Sequence, residues 1–368
     1  MDYQHTWNTD QPAWESILED VLKKTIAKQQ SLLPASSPPA PTTKKASSSN
    51  GSKATLLGYE QRLAVYNKQQ QMLDKKKWKL KDGTTVEDRL YNYGQNIQHE
   101  YAFHSMIMNL SDKRLKQVFS EKELKDVENH NLLPLPLLSD SVTTFFEKFK
   151  GKEAIDDIWE IADWAKRSIL DVVSAYRWDT VAATASRGAE RDLIMLLWRS
   201  IDTSFQNIHV QTWRSDEQTC SGSARVNEDR LGSDGSIKAK ISAVKPDLIL
   251  TKDNLEYGSA EHGFDDESGV GEKELHETYT KLPKTMKNMM MKLMAEVDYD
   301  EKAIRSLRVV GLVHSHLRMT AYLMDVPDGY VCRIRKLGEQ RIPDTLTDFY
   351  DTYRGSPLIS HPLIFTPH

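Results

Sequence analysis

The spacing of apolar residues divides the chain into a helical first part and a mixed second part. Between residues 13 and 30, apolar residues recur at steps of three and four, which predicts a short amphipathic helix. From Leu57 to about Tyr176, helical spacing dominates the pattern. From Asp179 onward, short apolar runs bounded by turn residues alternate with helical patterns. This order predicts a mixed β-sheet flanked by helices, in a protein of the α+β or α/β class.

The second part of the chain yields a definite order of expected elements. They are a long helix over 179–205, a strand over 208–213, a polar loop over 214–241, a hairpin over 245–263, a helix from about Pro283, a strand over 307–314, a hairpin over 318–337 and a closing helix over 343–353. Within the helical part, Thr85 and Asp88 have the spacing of a helix cap.

Composition changes along the chain predict three segments. Residues 1–57 hold the short helix and a linker rich in Pro and Ser, which we expect to be disordered because its apolar surface is small. Residues 58–178 form the helical region, and residues 179–368 form the α/β core. The short helix is expected to dock on the main body or on a partner, so a protein partner is predicted through this helix and the helical region.

Charge and motif content limit the classes of function. The net charge is -4, so a nucleic-acid contact must come from a local basic patch. No run of about 18 apolar residues is present, so we expect no membrane span. Cys220 and Cys332 show no disulfide or metal-ligand spacing, which favours an intracellular protein of the nucleus or cytoplasm. Walker A, dinucleotide-binding and serine-hydrolase motifs are also absent from the sequence.

Candidate chemistry concentrates in the hairpin over 245–263. Asp253-Asn254 is a turn signal. A three-residue loop would place Asp247 opposite Ser259, and a two-residue loop would place it opposite Ala260. In the first register, and without a bulge, Asp247 shares a sheet face with Glu261 and not with Glu256, which is also close to the turn.

A third acid lies on the apolar side of the helix expected over 179–205. Glu190 comes three residues before Leu193, on the same helix face. A carboxylate there requires a compensating charge. We weigh two interpretations, an ion pair with Arg187 or Arg191, and a carboxylate that points toward a metal site.

This arrangement resembles the core of the PD-(D/E)XK, or restriction-endonuclease-like, nucleases. The resemblance covers residues 179–337 and rests on a helix with Glu190, a strand, Pro246-Asp247 on the next strand, Glu261 on the strand after it and a following helix. The block that begins at Lys245-Pro246 is also similar to that of a family of uncharacterised fungal proteins. The nuclease resemblance implies Mg²⁺ held by Asp247 and Glu261, with Glu190 as the helix acid and a further ligand.

The sequence departs from the nuclease pattern at one position. The resemblance implies a lysine two residues after the second acid, where this chain has Gly263. Lys281 or Lys284, from the following helix, is expected to supply the charge and contact phosphate. The resemblance therefore implies Mg²⁺-dependent hydrolysis of phosphodiester bonds in DNA or RNA. The alternative is an inactive nuclease-like fold that binds nucleic acid or protein, and a third reading is a structural scaffold.

Overall fold

The structure is a computed structural model that describes residues 66–67, 69, 72–134, 163–187, 190–203, 209–214, 219–227, 242–263, 276–343, 345–346 and 348. The expected helices over 13–30 and 343–353 and the linker over 31–55 lie outside these ranges, apart from four residues of the closing helix. The described part is an α+β structure built on one mixed sheet of seven strands, in the order β1-β7-β6-β5-β4-β3-β2. The strands are β1 Ile107–Asn109, β2 Gln211–Trp213, β3 Leu248–Lys252, β4 Leu255–Gly263, β5 Val309–Ser315, β6 Arg318–Asp325 and β7 Cys332–Arg341.

Helices precede and separate these strands. The described helices are α1 Val86–Gln95, α2 Glu121–Asn129, α3 Asp163–Arg177, α4 Thr180–Arg187, α5 Glu190–Leu197, α6 Arg199–Thr203, α7 Cys220–Val226, α8 Leu282–Glu296 and α9 Glu301–Ile304. A π-helical turn, Glu277–Lys281, leads directly into α8. Short 3₁₀ helices occupy Asp74–Lys76, Ala102–Ser105 and Lys113–Gln117.

Several local signals act as the sequence predicts. Thr85 caps α1, where its hydroxyl accepts a hydrogen bond of 3.3 Å from the Asp88 backbone N–H. Pro283 lies in the first turn of α8, where its missing N–H leaves no helical hydrogen bond unmade. The helix begins at Leu282, so the expected helix from about Pro283 is confirmed.

Three expectations about the chain's elements are wrong. The single helix expected over 179–205 is interrupted at Trp198, where α5 ends and α6 begins. The loop expected over 214–241 contains α7, whose first turn is capped by the Thr219 hydroxyl. Ile107–Asn109, inside the region read as helical, forms β1 and pairs in parallel with β7. Three residues are too few for alternation to reveal a strand, so only pairing with β7 defines β1.

The sheet carries helices on both faces. On one face, a methyl group built on Gly311 would lie 2.5 Å from Met286 Sδ of α8, so we call this side the α8 face. On the opposite face, the Trp198 and His314 rings lie 5.3 Å apart between centroids, which places the α5–α6 junction there. The main apolar core fills the space between the sheet and these two helical layers.

A second apolar core joins the residues before Asn131 to the far end of the sheet. It contains Trp78, Leu90, Phe103 and Met108 and includes Val331 from the segment between β6 and β7. The α8 helix also contacts this region, because Lys287 Nζ donates a hydrogen bond to the Ser105 carbonyl oxygen. The α8 helix is thus held between the sheet and the first part of the chain.

Candidate functional site

The β3–β4 hairpin has a two-residue turn. Asp253 and Asn254 both adopt positive φ angles, 52° and 64°, which Asn and Asp tolerate better than most residues. Lys252 pairs with Leu255 on either side of the turn. The shorter of the two loops considered from the sequence is therefore the one that forms.

A β-bulge next to the turn corrects the expected register. Thr251 pairs with Glu256 but Leu250 pairs with Gly258, so Tyr257 is an extra residue in β4. Beyond the bulge Leu248 pairs with Ala260. Asp247 directly precedes β3, and its backbone N–H donates a 3.1 Å hydrogen bond to the Ala260 carbonyl oxygen, so Asp247 contacts the residue that the two-residue loop places opposite it.

Asp247 and Glu261 lie close together on the α8 side. Ser259 pairs with Gly311, a residue on the α8 face, and Glu261 follows two positions later on the same face. The charge of Asp247 raises the pKa values of both Glu261 and Lys281, so its carboxylate lies near these two groups. We call Asp247 and Glu261 the acid pair. It spans two adjacent strands at the end of the hairpin away from the turn.

The two carboxyl groups of the acid pair differ in environment. Glu261 is fully buried, whereas Asp247 is exposed and its Oδ2 accepts a 2.8 Å hydrogen bond from the His262 backbone N–H. Burial is the main cause that raises the pKa of Glu261 well above its usual value, and the charges of Glu277 and Asp247 add to the rise. Glu261 Oε1 is buried without a hydrogen-bond partner, so one of its oxygens remains available to a ligand.

Lys281 contacts the acid pair through Glu261. Its Nζ forms an ion pair with Glu261 Oε2 and lies 3.3 Å from Glu277 Oε2. Burial alone would lower the pKa of Lys281, but the negative charges of Glu261 and Glu277 outweigh it and raise the pKa to about 12. Lys281 is therefore a cation at neutral pH, and the π-helical turn that ends in it places this cation on the α8 face.

The second candidate lysine has a different partner. Lys284 Nζ lies 2.8 Å from Oε1 of Glu100, a residue in the segment that forms the second apolar core. Of the two lysines considered from the sequence, the structure brings Lys281 to the acid pair and Lys284 to Glu100.

Glu190 is the first residue of α5, and its side chain lies outside the described part of the structure. The same helix packs Leu193 and Leu197 into the main core, and its end at Trp198 meets the sheet on the face opposite to the α8 face. The convergence of Glu190 on the acid pair, and its ion pair with Arg187 or Arg191, both stay predictions.

Glu256 has a structural partner. Its carboxylate accepts hydrogen bonds from the backbone N–H groups of Cys220, at 2.6 Å, and Ser221, at 3.0 Å, at the start of α7. A carboxylate at a helix N-terminus satisfies N–H groups that lack helical partners. Glu256 therefore fixes α7 to the hairpin, and the choice of Glu261 over Glu256 as the partner of Asp247 agrees with the geometry.

One residue near the acid pair was not identified from the sequence. Glu277 is buried and contacts Lys281, and the only sequence signal for it is its spacing of four residues from that lysine. Ser259, which the sequence places on the same face as Glu261, is fully buried on the α8 face, and its hydroxyl has no hydrogen-bond partner.

A second polar cluster lies on the opposite face. Arg214 donates hydrogen bonds of 3.0 and 2.9 Å to the two carboxylate oxygens of Asp202, and its Nη1 lies 3.0 Å from His262 Nε2. The His262 and His314 rings are 4.9 Å apart. Burial, followed by the positive charge of Arg214, lowers the pKa of His314 to about 3, so this imidazole is neutral.

Comparison with models of known protein families, with curated proteins and with solved structures finds no match for the chain. Within the described ranges, no group of three or more His, Cys, Asp or Glu side chains has the arrangement of a metal site. No helix in the same ranges is long and apolar enough to cross a membrane.

Proposed function

We propose that the protein hydrolyses phosphodiester bonds in nucleic acid with the help of Mg²⁺, at the site formed by Asp247, Glu261 and Lys281. The observation that carries this proposal is the position of Lys281 on Glu261. The nuclease resemblance requires a cation beside the second acid, and Gly263 cannot supply it. A lysine from the turn before α8 supplies it instead.

The order of elements supports the same proposal. The helices α5 and α6 precede β2, Asp247 directly precedes β3, Glu261 lies on β4, and α8 follows. This is the order on which the resemblance to PD-(D/E)XK nucleases rests. The proximity of Asp247 to both Glu261 and Lys281 adds the geometric condition that the two acids lie together.

The donor atoms fit the implied ion. Carboxylate oxygens are the ligands that Mg²⁺ prefers, and the ion commonly uses one or two of them together with water and substrate phosphate. Asp247 offers an exposed carboxylate and Glu261 offers the unpartnered Oε1. When bound, Mg²⁺ would neutralise negative charge on the phosphate and help to activate the attacking water.

Lys281 has a separate role in this proposal. A pKa of about 12 keeps its ammonium group protonated at neutral pH, so it serves as a positive charge and not as a base. From its position on Glu261 it can donate a hydrogen bond to a phosphate oxygen and stabilise the charge that develops there. Glu277 holds this lysine from its own helical turn.

The test is cleavage of single- and double-stranded DNA and RNA with Mg²⁺ or Mn²⁺. We expect Asp247→Ala to abolish cleavage and Lys281→Met to lower kcat by about 10²- to 10³-fold, the loss usual for one preorganised group. Lys284→Met is the matched control and should retain most activity, because Lys284 pairs with Glu100. Activity unchanged in Asp247→Ala would exclude this site.

A second candidate function is an inactive nuclease-like fold that binds nucleic acid or protein. The observation that favours it is the raised pKa of Glu261, since a protonated carboxyl group is a poor ligand for a cation. Calorimetric titration with Mg²⁺ and Mn²⁺ separates the two functions. Absence of metal binding at pH 7 to 9, together with absence of cleavage, would favour the binding function.

A further inference from the structure

An exposed tryptophan lies next to the acid pair on the same face of the sheet. Trp213 ends β2, the last strand in the sheet order, and pairs with Ile249 of β3. Thr212 points to the opposite face, where its hydroxyl donates a hydrogen bond to the Asp202 carbonyl oxygen. Trp213 therefore points to the α8 face, as Asp247 and Glu261 do.

The register places Trp213 beside Asp247. Ile249, the partner of Trp213, is two residues from Asp247, so Trp213 and Asp247 are diagonal neighbours on adjacent strands. Diagonal neighbours on one sheet face lie about 7–8 Å apart between backbones, within reach of an aromatic side chain. Trp213 thus lies on the same face as the acid pair, level with Ile249 and Ser259 and two residues from Asp247 and Glu261 along the strands.

The Trp213 ring is held in place and is still open to solvent. Its Nε1–H donates a hydrogen bond of 3.0 Å to the Thr251 hydroxyl, which fixes one edge of the indole. The residue nevertheless stays 53% exposed. Single exposed apolar side chains are common on protein surfaces. A half-exposed tryptophan that is anchored by its polar edge, on the same sheet face as two acids, is better explained by a ligand.

We propose that Trp213 stacks on a base of single-stranded nucleic acid whose phosphate lies at the acid pair and Lys281. This inference rests on the proposed function and specifies its substrate class. An aromatic ring can stack on any base, so it binds single strands with little sequence preference. In a duplex the faces of the bases are already stacked on one another, and a base must leave the stack to reach a side chain.

The net charge of the chain agrees with binding that depends on a stacking contact. The whole chain has a net charge of -4, so a broad electrostatic attraction to nucleic acid is not expected. Stacking contributes affinity that does not depend on net charge. Lys281, in contact with Glu261, supplies the local positive charge that a phosphate would contact.

The experiment measures binding of a fluorescent 20-nucleotide oligothymidylate and of a duplex of the same length. Titrations are run in EDTA and in Ca²⁺ with the full chain and with three variants. We expect the single strand to bind more tightly than the duplex, Trp213→Ala to weaken single-strand binding by about 10- to 100-fold, and Trp213→Phe to keep most of the affinity because it keeps a ring.

Trp178→Ala is the matched control. Trp178 is 75% exposed, and it lies in the turn between α3 and α4, in the helical layer away from the α8 face. Its replacement should leave binding unchanged. Equal binding of single strand and duplex, equal affinity of Trp213→Ala and the unchanged protein, or no binding to either nucleic acid in both solutions would overturn the inference.

Cleavage of the same oligonucleotides in Mg²⁺ separates this inference from the proposed function. If the chain binds single strands through Trp213 and cleaves neither substrate, the proposed hydrolysis fails and the binding inference stands. If it cleaves duplex and single strand equally and Trp213→Ala has no effect on kcat/KM, the proposed hydrolysis stands and the inference about Trp213 fails.

Discussion

Glu261 and Lys281 show how burial and charge act on the pKa values of two groups in contact. Burial of the Glu261 carboxyl group raises its pKa, whereas the acids around Lys281 raise the pKa of the ammonium group. The sequence predicted Glu261 from alternation along β4 and left Lys281 and Lys284 as alternatives. It could not choose between the lysines, because the choice depends on the rotation of α8 about its axis and on the position of Glu100.

His314 gives a residue-scale prediction about pH. Its pKa is lowered from 6.5 to about 3 in the folded chain, mainly by burial. Between pH 6.5 and about pH 3, His314 binds a proton in the unfolded chain but not in the folded chain. The stability associated with neutral His314 is therefore fully present above pH 6.5 and is lost as the pH falls, by about 1.4 kcal/mol per pH unit.

His314→Phe should reduce this loss, because phenylalanine keeps a ring near Trp198 and does not titrate. Urea unfolding at pH 6.5, 5.5 and 4.5 measures the slope for both proteins. Both His314 ring nitrogens lack hydrogen-bond partners, so the replacement removes no hydrogen bond. Equal slopes for the two proteins would contradict the lowered pKa.

At the scale of elements, the hairpin shows what a sequence does and does not reveal. The turn at Asp253-Asn254 and the two strands were predicted from local signals, and the structure contains them. The bulge at Tyr257 was excluded by assumption, yet it shifts the pairing of Leu248, Ile249 and Leu250 by one residue. A bulge depends on packing against β5, where Gly258 pairs with Val310 and has no room for a side chain, and such packing leaves no periodic signal.

The turn between β6 and β7 gives an element-scale prediction. Gly329 has a φ of +54°, and a methyl group on it would lie 2.1 Å from Glu87 Oε1 and 2.6 Å from the Trp78 backbone nitrogen. Glu87 in turn accepts a 2.8 Å hydrogen bond from the Tyr330 N–H. Gly329→Ala should therefore break this contact between α1 and the turn.

We expect Gly329→Ala to lower the free energy of unfolding by about 2–4 kcal/mol, the sum of backbone strain and overpacking. Gly83→Ala is the control, because Gly83 also has a positive φ, +84°, but nothing lies within 4 Å of the added methyl group. Its cost should be only about 1 kcal/mol. Denaturant unfolding measures both, and equal costs would show that the close approach to Glu87 is unimportant.

At the scale of the whole molecule, the arginine of a buried ion pair connects the first part of the chain to the sheet. Arg333 and Asp325 are almost fully buried, and the Arg333 Nε lies 2.9 Å from Asp325 Oδ1. Arg333 Nη1 also donates hydrogen bonds to the carbonyl oxygens of Val127, Glu128 and His130 at the end of α2. One side chain thus satisfies the backbone carbonyl groups at the end of α2 and holds this helix against β7.

Arg333→Met should lower the free energy of unfolding by about 3–5 kcal/mol, because it leaves Asp325 buried without its cation. Lys336→Met is the control, since the Lys336–Glu339 pair is about 40% exposed and contributes at most about 1 kcal/mol. Thermal and urea unfolding measure both losses. A small loss for Arg333→Met would mean that the two parts of the molecule are joined mainly by their apolar contacts.

We propose that Asp247 and Glu261 form one cation site on the α8 face. Calorimetric titration with Mn²⁺ at pH 6, 7 and 8 measures its affinity. Only the ionised carboxylate of Glu261 binds a cation, and its pKa is raised, so affinity should fall as the pH is lowered. Asp253→Asn, which changes an exposed acid in the turn of the same hairpin, is the matched control. We expect binding that is lost in Asp247→Asn and Glu261→Gln and retained in Asp253→Asn. Binding unaffected by Asp247→Asn, or no binding at pH 8, would show that the two acids form no cation site.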